Sequence, residues 1–152
     1  REMRGEEFTE FVVRRVTNWP GVETTAHPGG DVELRVGTAV LGAAHDTGVD
    51  LAFSPAIRDQ LLTEGRADRH RTDPRSSWVS FRVRTAADVR DVIWLLRFAY
   101  LCCLQRQTES VDGAPTQRVD IDDEFDRLGL STSLRVLARQ PPTTSERPTQ
   151  TA

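Results

Sequence analysis

The sequence predicts an α+β domain of two layers, an antiparallel sheet of about four to five strands flanked by an N-terminal helix and a long C-terminal helix. Three observations carry that prediction. "DVELRVGTAVLGAAH" alternates apolar and polar residues on either side of Gly37-Thr38, the pattern of a half-buried hairpin. "WVSFRVR" repeats the alternation with Val79, Phe81 and Val83 on one side. "EFTEFVVRRV" and "AADVRDVIWLLRFAYLCCLQR" instead place apolar residues three and four apart, the helical spacing.

Taken in order, Glu6 to Thr17 reads as the first helix, with Phe8, Phe11, Val12 and Val16 on its apolar stripe and "NWPGV" as its stop. In the hairpin, a two-residue Gly-first turn pairs Val36 with Ala39, Leu34 with Leu41 and Val32 with Ala43. Continued by the same parity, His45 points to the core face. A turn at Asp46 to Gly48 leads into a third strand carrying Val49, Leu51 and Phe53. Ser54-Pro55 opens a short helix, Ser as N-cap and Pro at the first position, and Gly65 closes it. After a polar loop and the "WVSFRVR" strand, Thr85 caps the longest helix, Ala86 to about Arg106, with Asp88 completing a capping box.

That helix is apolar on two sides. Val89, Val92, Ile93, Leu96 and Tyr100 form one stripe, Trp94, Leu95, Phe98 and Leu101 another, so the sheet covers one and something else must cover the second. The domain organisation expected is residues 1–106 as the α+β unit and 107–152 as an acidic, partly disordered extension. Within the extension, Ile121, Phe125 and Leu128 fall at helical spacing, so the segment is either solvated or a short amphipathic helix covering a groove.

Composition narrows the function. The chain has 152 residues, a net charge of −3 and no lysine, which argues against a general nucleic-acid binder. Its two cysteines, Cys102 and Cys103, are adjacent and build no disulfide framework. With a charged start lacking an apolar leader region, this leads us to expect a cytoplasmic setting. The longest apolar run, Val92 to Leu104, is interrupted by Arg97 and is shorter than a membrane span requires. The three histidines, His27, His45 and His70, show no metal-ligand spacing, and no phosphate loop or nucleophile elbow is present. No cofactor or metal is expected.

What stands out is "GAAHDTGVDLAFSP". His45-Asp46 sits at a strand end with Asp50 across the turn, beside Gly42, Ala43 and Ala44, small residues that leave room for a ligand or another backbone. His45 is the candidate acid/base, oriented by Asp46 or Asp50. The alternative is a plain turn capped by Asp46, with His45 a satisfied half-buried residue. Residues 66–84 add Arg66, Arg69, Arg71, Arg75, Arg82 and Arg84 against Asp68 and Asp73. Of these, Arg82 or Arg84 is placed to hold an anionic group unless they pair with neighbouring acids.

Residues about 20 to 106 resemble a small bacterial and fungal family, the luciferase domain proteins. "PGVETTAHPGGDVELRVGTAVLG" is similar to its opening hairpin, "HDTGVDLAFSPAIRDQLLTEGRADRH" to its central block and "SSWVSFRVRTAADVRDVIWLLRFAY" to its closing strand and helix. Members often show Gly-His-x-His before the turn; here Ala43 stands at the first histidine position and His45 at the second. The closing pattern more distantly resembles YjbR-like domains, which implies a helix-flanked antiparallel sheet.

The expected function is binding of an anionic or aromatic small molecule, with cofactor-independent catalysis through His45 as its extension. The pocket is expected between sheet and last helix, lined by Leu41, Ala43, Phe53, Trp78, Phe81 and Trp94. The alternatives are a non-catalytic module, homodimeric through the two-sided last helix, and nucleic-acid binding through Arg66–Arg84. No membrane partner is expected.

Overall fold

The computed structural model describes residues 5–110 and 120–139. Six strands form one antiparallel sheet in the order β1-β2-β3-β4-β6-β5. They are β1 (Val22–Ala26), β2 (Val32–Val36), β3 (Ala39–His45), β4 (Gly48–Leu51), β5 (Asp68–Arg69) and β6 (Val79–Arg82). Two strands exceed the four plainly readable from sequence. β1 is an edge strand exposed from Glu23 to Ala26, so it carries no apolar alternation, and β5 is only two residues long.

Helices α1 (Gly5–Val16) and α3 (Ala86–Ser110) cover one face of the sheet, both touching β2, β3 and β4. Phe8, Val12 and Val16 of α1 pack with Leu34, Leu41, Leu51, Val79 and Leu96 in a core where each is at most 2% exposed. Helix α2 (Pro55–Thr63) starts as expected. Ser54 Oγ accepts the Ile57 N–H at 3.2 Å, Pro55 occupies the first turn, and Gly65 follows the helix at φ +73°. The α3 capping box is also formed: Thr85 Oγ1 accepts the Asp88 N–H, and Asp88 Oδ2 accepts the Thr85 N–H.

The second stripe of α3 is covered by this chain's own C-terminal part. Helix α4 (Ile121–Leu128) is capped by Asp120 and ends at Gly129, φ +68°. It buries Phe125 against Phe98, ring centroids 6.2 Å apart. Trp94 Nε1 donates to the Leu128 carbonyl at 2.9 Å, and Arg97 pairs with Glu124 at 2.9 Å. Helix α5 (Thr132–Arg139) buries Leu134 and Ala138 and packs on α2. Of the two readings of this acidic segment, the amphipathic one describes it: polar residues face water while the apolar stripe docks. Residues 141–152, expected to be disordered, lie outside the described residues.

One register differs from the expected hairpin, and it decides which side of the sheet carries the site. Val36 pairs with Ala39 as expected, but a bulge then intervenes, so Leu34 pairs with Gly42 and Val32 with Ala44. Leu41 is the extra residue, buried in the core, and beyond it the parity of β3 is reversed. His45 and Ala43 therefore lie on the face away from α1 and α3, not on the core face. Gly42 and Ala44 take the helix side, opposite Leu51 and Val49.

Candidate functional site

On that outer face the ladder aligns Thr25, Glu33, Ala43, Asp50, Ser80 and Asp68 in one row across all six strands. His45 belongs to the next row, level with Gly48 and Arg82. Two glycines beside these rows are required because neighbouring backbone comes close. A Cβ on Gly42 would lie 2.1 Å from the Asp50 carbonyl oxygen, and one on Gly48 2.1 Å from that of Phe81. The small residue at Gly42 thus makes room for β4 rather than for a ligand.

At the centre of the row, Asp50 is 5% exposed and gathers donors from three segments. Ser80 Oγ donates to Oδ1 at 2.7 Å, and Arg71 Nε lies 3.3 and 3.2 Å from Oδ1 and Oδ2. His45 Nε2 faces Oδ1 at 3.4 Å, and His70 Nε2 faces Oδ2 at 3.7 Å. Ser80 Oγ in turn accepts the Arg71 backbone N–H at 3.0 Å. Burial by itself would raise the Asp50 pKa. The facing His45 imidazole, the Ser80 hydroxyl and the Arg71 guanidinium outweigh that and hold it below the ordinary aspartate value.

The two histidines are built alike. In each, Nδ1 accepts a backbone N–H from the residue two further on: Thr47 to His45 at 3.3 Å, and Thr72 to His70 at 3.4 Å, with Asp73 N–H adding a third bond at 3.0 Å. A nitrogen that accepts an N–H has no proton, so each ring carries its proton on Nε2 and aims it at Asp50. Such rings act as donors to a carboxylate and offer no Nε2 lone pair to a metal. Among the described residues, no group of three His, Cys, Asp or Glu side chains is placed to hold a metal ion.

Next to this cluster, at the β2–β3 end of the row, lies a cleft of about 440 Å³. It is lined by His27, Gly29, Asp31, Glu33, Val40, Gly42, Ala43 and Trp78. The loop before β6 supplies its Trp78 wall and is anchored at several points. Arg58 donates to the carbonyls of Arg75 and Ser76, Ser76 Oγ accepts the Trp78 N–H at 2.9 Å, and His70 meets the Trp78 ring edge-on. On the opposite side His27 Nε2 lies 2.9 Å from Glu33 Oε1.

The residues expected to form one pocket are divided between two faces and an edge. His45, Asp50, Ala43 and Trp78 gather on the outer face; Asp46 is exposed on the turn outside the cluster, and Thr47 makes the contact to His45 instead. Leu41 and Phe53 are buried on the helix side, Phe53 against Phe98 at 5.5 Å. Phe81 and Trp94 line a separate cavity of about 240 Å³ beside Glu64, Arg66, Asp91 and Leu95. Arg82 and Arg84 line a third, of about 170 Å³, with Arg66, Asp68 and Asp88. The layer expected to hold the pocket is filled by core side chains, and the bulge moved His45 away from it.

The sequence pattern gives no sign of Asp31, Glu33 or Ser80, weighs His27 and His70 only for metal-ligand spacing, and shows Arg71 only as part of a basic stretch. One signal was present: His-x-Thr occurs twice, at 45–47 and 70–72, and both copies fold into the same ring-to-backbone turn.

Residues 38–99 match the family model described as Luciferase domain, the family that the motifs resemble. The match spans β3 through most of α3 and includes His45, Asp50, His70, Arg71, Trp78 and Ser80. No curated protein and no solved structure matches the chain.

Proposed function

We propose that this domain binds an aromatic small molecule in the outer-face cleft, with Trp78 as its stacking wall and Val40 and Ala43 as its apolar floor. The observation that carries the reading is the cleft itself: about 440 Å³, within the range of ligand pockets, with an indole on one side and polar groups on the other. The Asp50 cluster supports it from below. It ties β4 to the loop bearing Trp78, so the wall stands in place before a ligand arrives. Proton transfer by His45 is not part of the proposal, because Nδ1 is engaged by Thr47 and Nε2 faces Asp50. A homodimer through α3 draws no support, since α4 occupies the apolar side on which it would rest.

Native mass spectrometry of the purified protein tests the proposal. A bound metabolite in the wild type that is lost in Trp78→Ala, with the fold retained, is the expected result. A wild type that carries nothing, and whose Trp78 resonance ignores a panel of aromatic metabolites, would remove the reading.

A further inference from the structure

The outer-face cleft, taken as a ligand site as proposed above, also has a charge character that selects among ligands. Its ionisable lining consists of Asp31, Glu33 and His27, and no arginine lines it, although the chain has 20 basic residues. The Arg35 guanidinium lies 4.0 Å from Glu33 Oε2. Arg35 is shared with Glu23 at 3.9 Å and with Thr25, to which it donates at 3.2 Å. The Asp31 carboxylate has no ion pair among the described residues; only its backbone carbonyl is engaged, accepting the His27 N–H at 2.8 Å. Across the cleft stands Trp78, the ring type whose face attracts cations best. Arg82 and Arg84, the residues suited to an anion, belong to a different pocket at the β5–β6 edge.

We propose that the ligand of this cleft is an organic cation, an amine or quaternary ammonium on an aromatic body. The body rests on Val40, Ala43 and the Trp78 ring, and the positive head lies towards Asp31 and Glu33. A carboxylate or phosphate ligand would meet two acids and no arginine, with His27 already held by Glu33 at 2.9 Å, a desolvation cost with little compensation. A neutral ligand would leave the Asp31 charge unused. Cation–indole attraction and two nearby carboxylates act in the same direction, and a preference of roughly tenfold or more over an equal-sized anion is expected.

The test uses three probes of similar size: benzyltrimethylammonium, benzyl alcohol and phenylacetate. Each is titrated into the full chain while the Val40, Ala43 and Trp78 indole resonances are followed by NMR. The expected result is that benzyltrimethylammonium shifts these signals at the lowest concentration and weakens as sodium chloride is raised. Its advantage over phenylacetate should fall several-fold in Asp31→Asn and vanish in the Asp31→Asn/Glu33→Gln variant, with the rest of the spectrum unchanged. Phenylacetate or benzyl alcohol binding the same residues as tightly as the cation would overturn the charge inference and leave the cleft as a ligand site. A preference that survives the double amide variant would overturn it as well. Silence of the cleft towards all three probes in a folded protein would overturn both.

Discussion

Replacing Asp50 by Asn keeps the shape of the side chain and removes its charge, so it isolates what the cluster contributes. In the native arrangement the carboxylate receives the Ser80 hydroxyl at 2.7 Å and the Arg71 Nε at 3.2 Å, and faces two imidazole Nε2–H groups. An Asn can still accept from Ser80 through Oδ1, so that bond survives. Arg71, with its side chain 45% exposed, turns to water at little cost. The loss falls on the histidines. His70 Nε2, which faces Oδ2, is left against an amide nitrogen that also donates, while the His45 side chain, 6% exposed, keeps Oδ1 but loses the charge it faced. An unsatisfied buried donor costs about 1–3 kcal/mol, which His70 bears nearly in full at 16% exposure, and the weakened contact at His45 adds a smaller part. The sum is about 2–3 kcal/mol, a fall in Tm of roughly 5–10 °C for a chain of this length. Urea denaturation of both proteins between pH 3 and pH 8 measures it.

The pH dependence has a fixed sign. The folded pKa of Asp50 lies below its ordinary value of 3.8, so its contribution is complete above that value and is lost as pH falls through the folded pKa. The gap between wild type and Asp50→Asn should narrow below about pH 4. A gap under about 0.5 kcal/mol at pH 7 would mean that the buried charge stabilises nothing beyond its desolvation cost, and the reasoning would fail.

The other predictions concern single contacts. Gly42→Ala and Gly48→Ala each drive a methyl group into a carbonyl oxygen 2.1 Å away and should cost about 3 kcal/mol or more, whereas Gly29→Ala, with nothing within 4 Å, should leave Tm unchanged. Calorimetry separates the three. Phe125→Ala should cost about 3–5 kcal/mol, because its ring is fully buried against Phe98; a loss under 1 kcal/mol would mean that α4 contributes little to covering α3. His70→Ala should weaken probe binding at Trp78 more than it lowers Tm, since His70 holds the loop rather than the core; equal affinity in the two proteins would show that the loop needs no such anchor.

The layers of this fold were legible because helical and strand periods are written plainly in Phe8–Val16, Val32–Val36, Val79–Val83 and Val89–Tyr100. The candidate site was legible as four residues, His45, Asp50, Ala43 and Trp78. What hid the rest was parity. "AVLGAAH" reads as an unbroken strand, and a bulge at Leu41 adds one residue without any change of composition, so every side chain beyond it appears on the wrong face. With His45 on the core side, the pocket around it is expected to include Leu41, Phe53, Phe81 and Trp94. The partners it actually has, Ser80 and the 70–78 loop through Asp50, lie on the other side of the sheet. Ser80 was equally hidden, since a small polar residue between Val79 and Phe81 is what any half-exposed strand would carry.

The bulge and the paired histidine turns serve one geometric requirement. A loop such as His70–Trp78, with Trp78 its one large apolar side chain, cannot hold itself against a sheet by burial, and ordering it costs conformational entropy at every residue. A buried carboxylate that accepts from Ser80 and Arg71 and faces the His45 and His70 Nε2 atoms supplies a polar anchor in place of an apolar one. That anchor works only if Asp50 and His45 face outward. Asp50 does so by alternation from Val49 and Leu51, whose side chains are fixed in the core. His45 does so only because the strand that carries Leu41 inward is reset by one residue. The same reset brings Ala43 to the outer face, where a small side chain between Glu33 and Asp50 leaves the floor of the cleft open beneath Trp78. One inserted residue in β3 thus places the anchor and the cavity side by side.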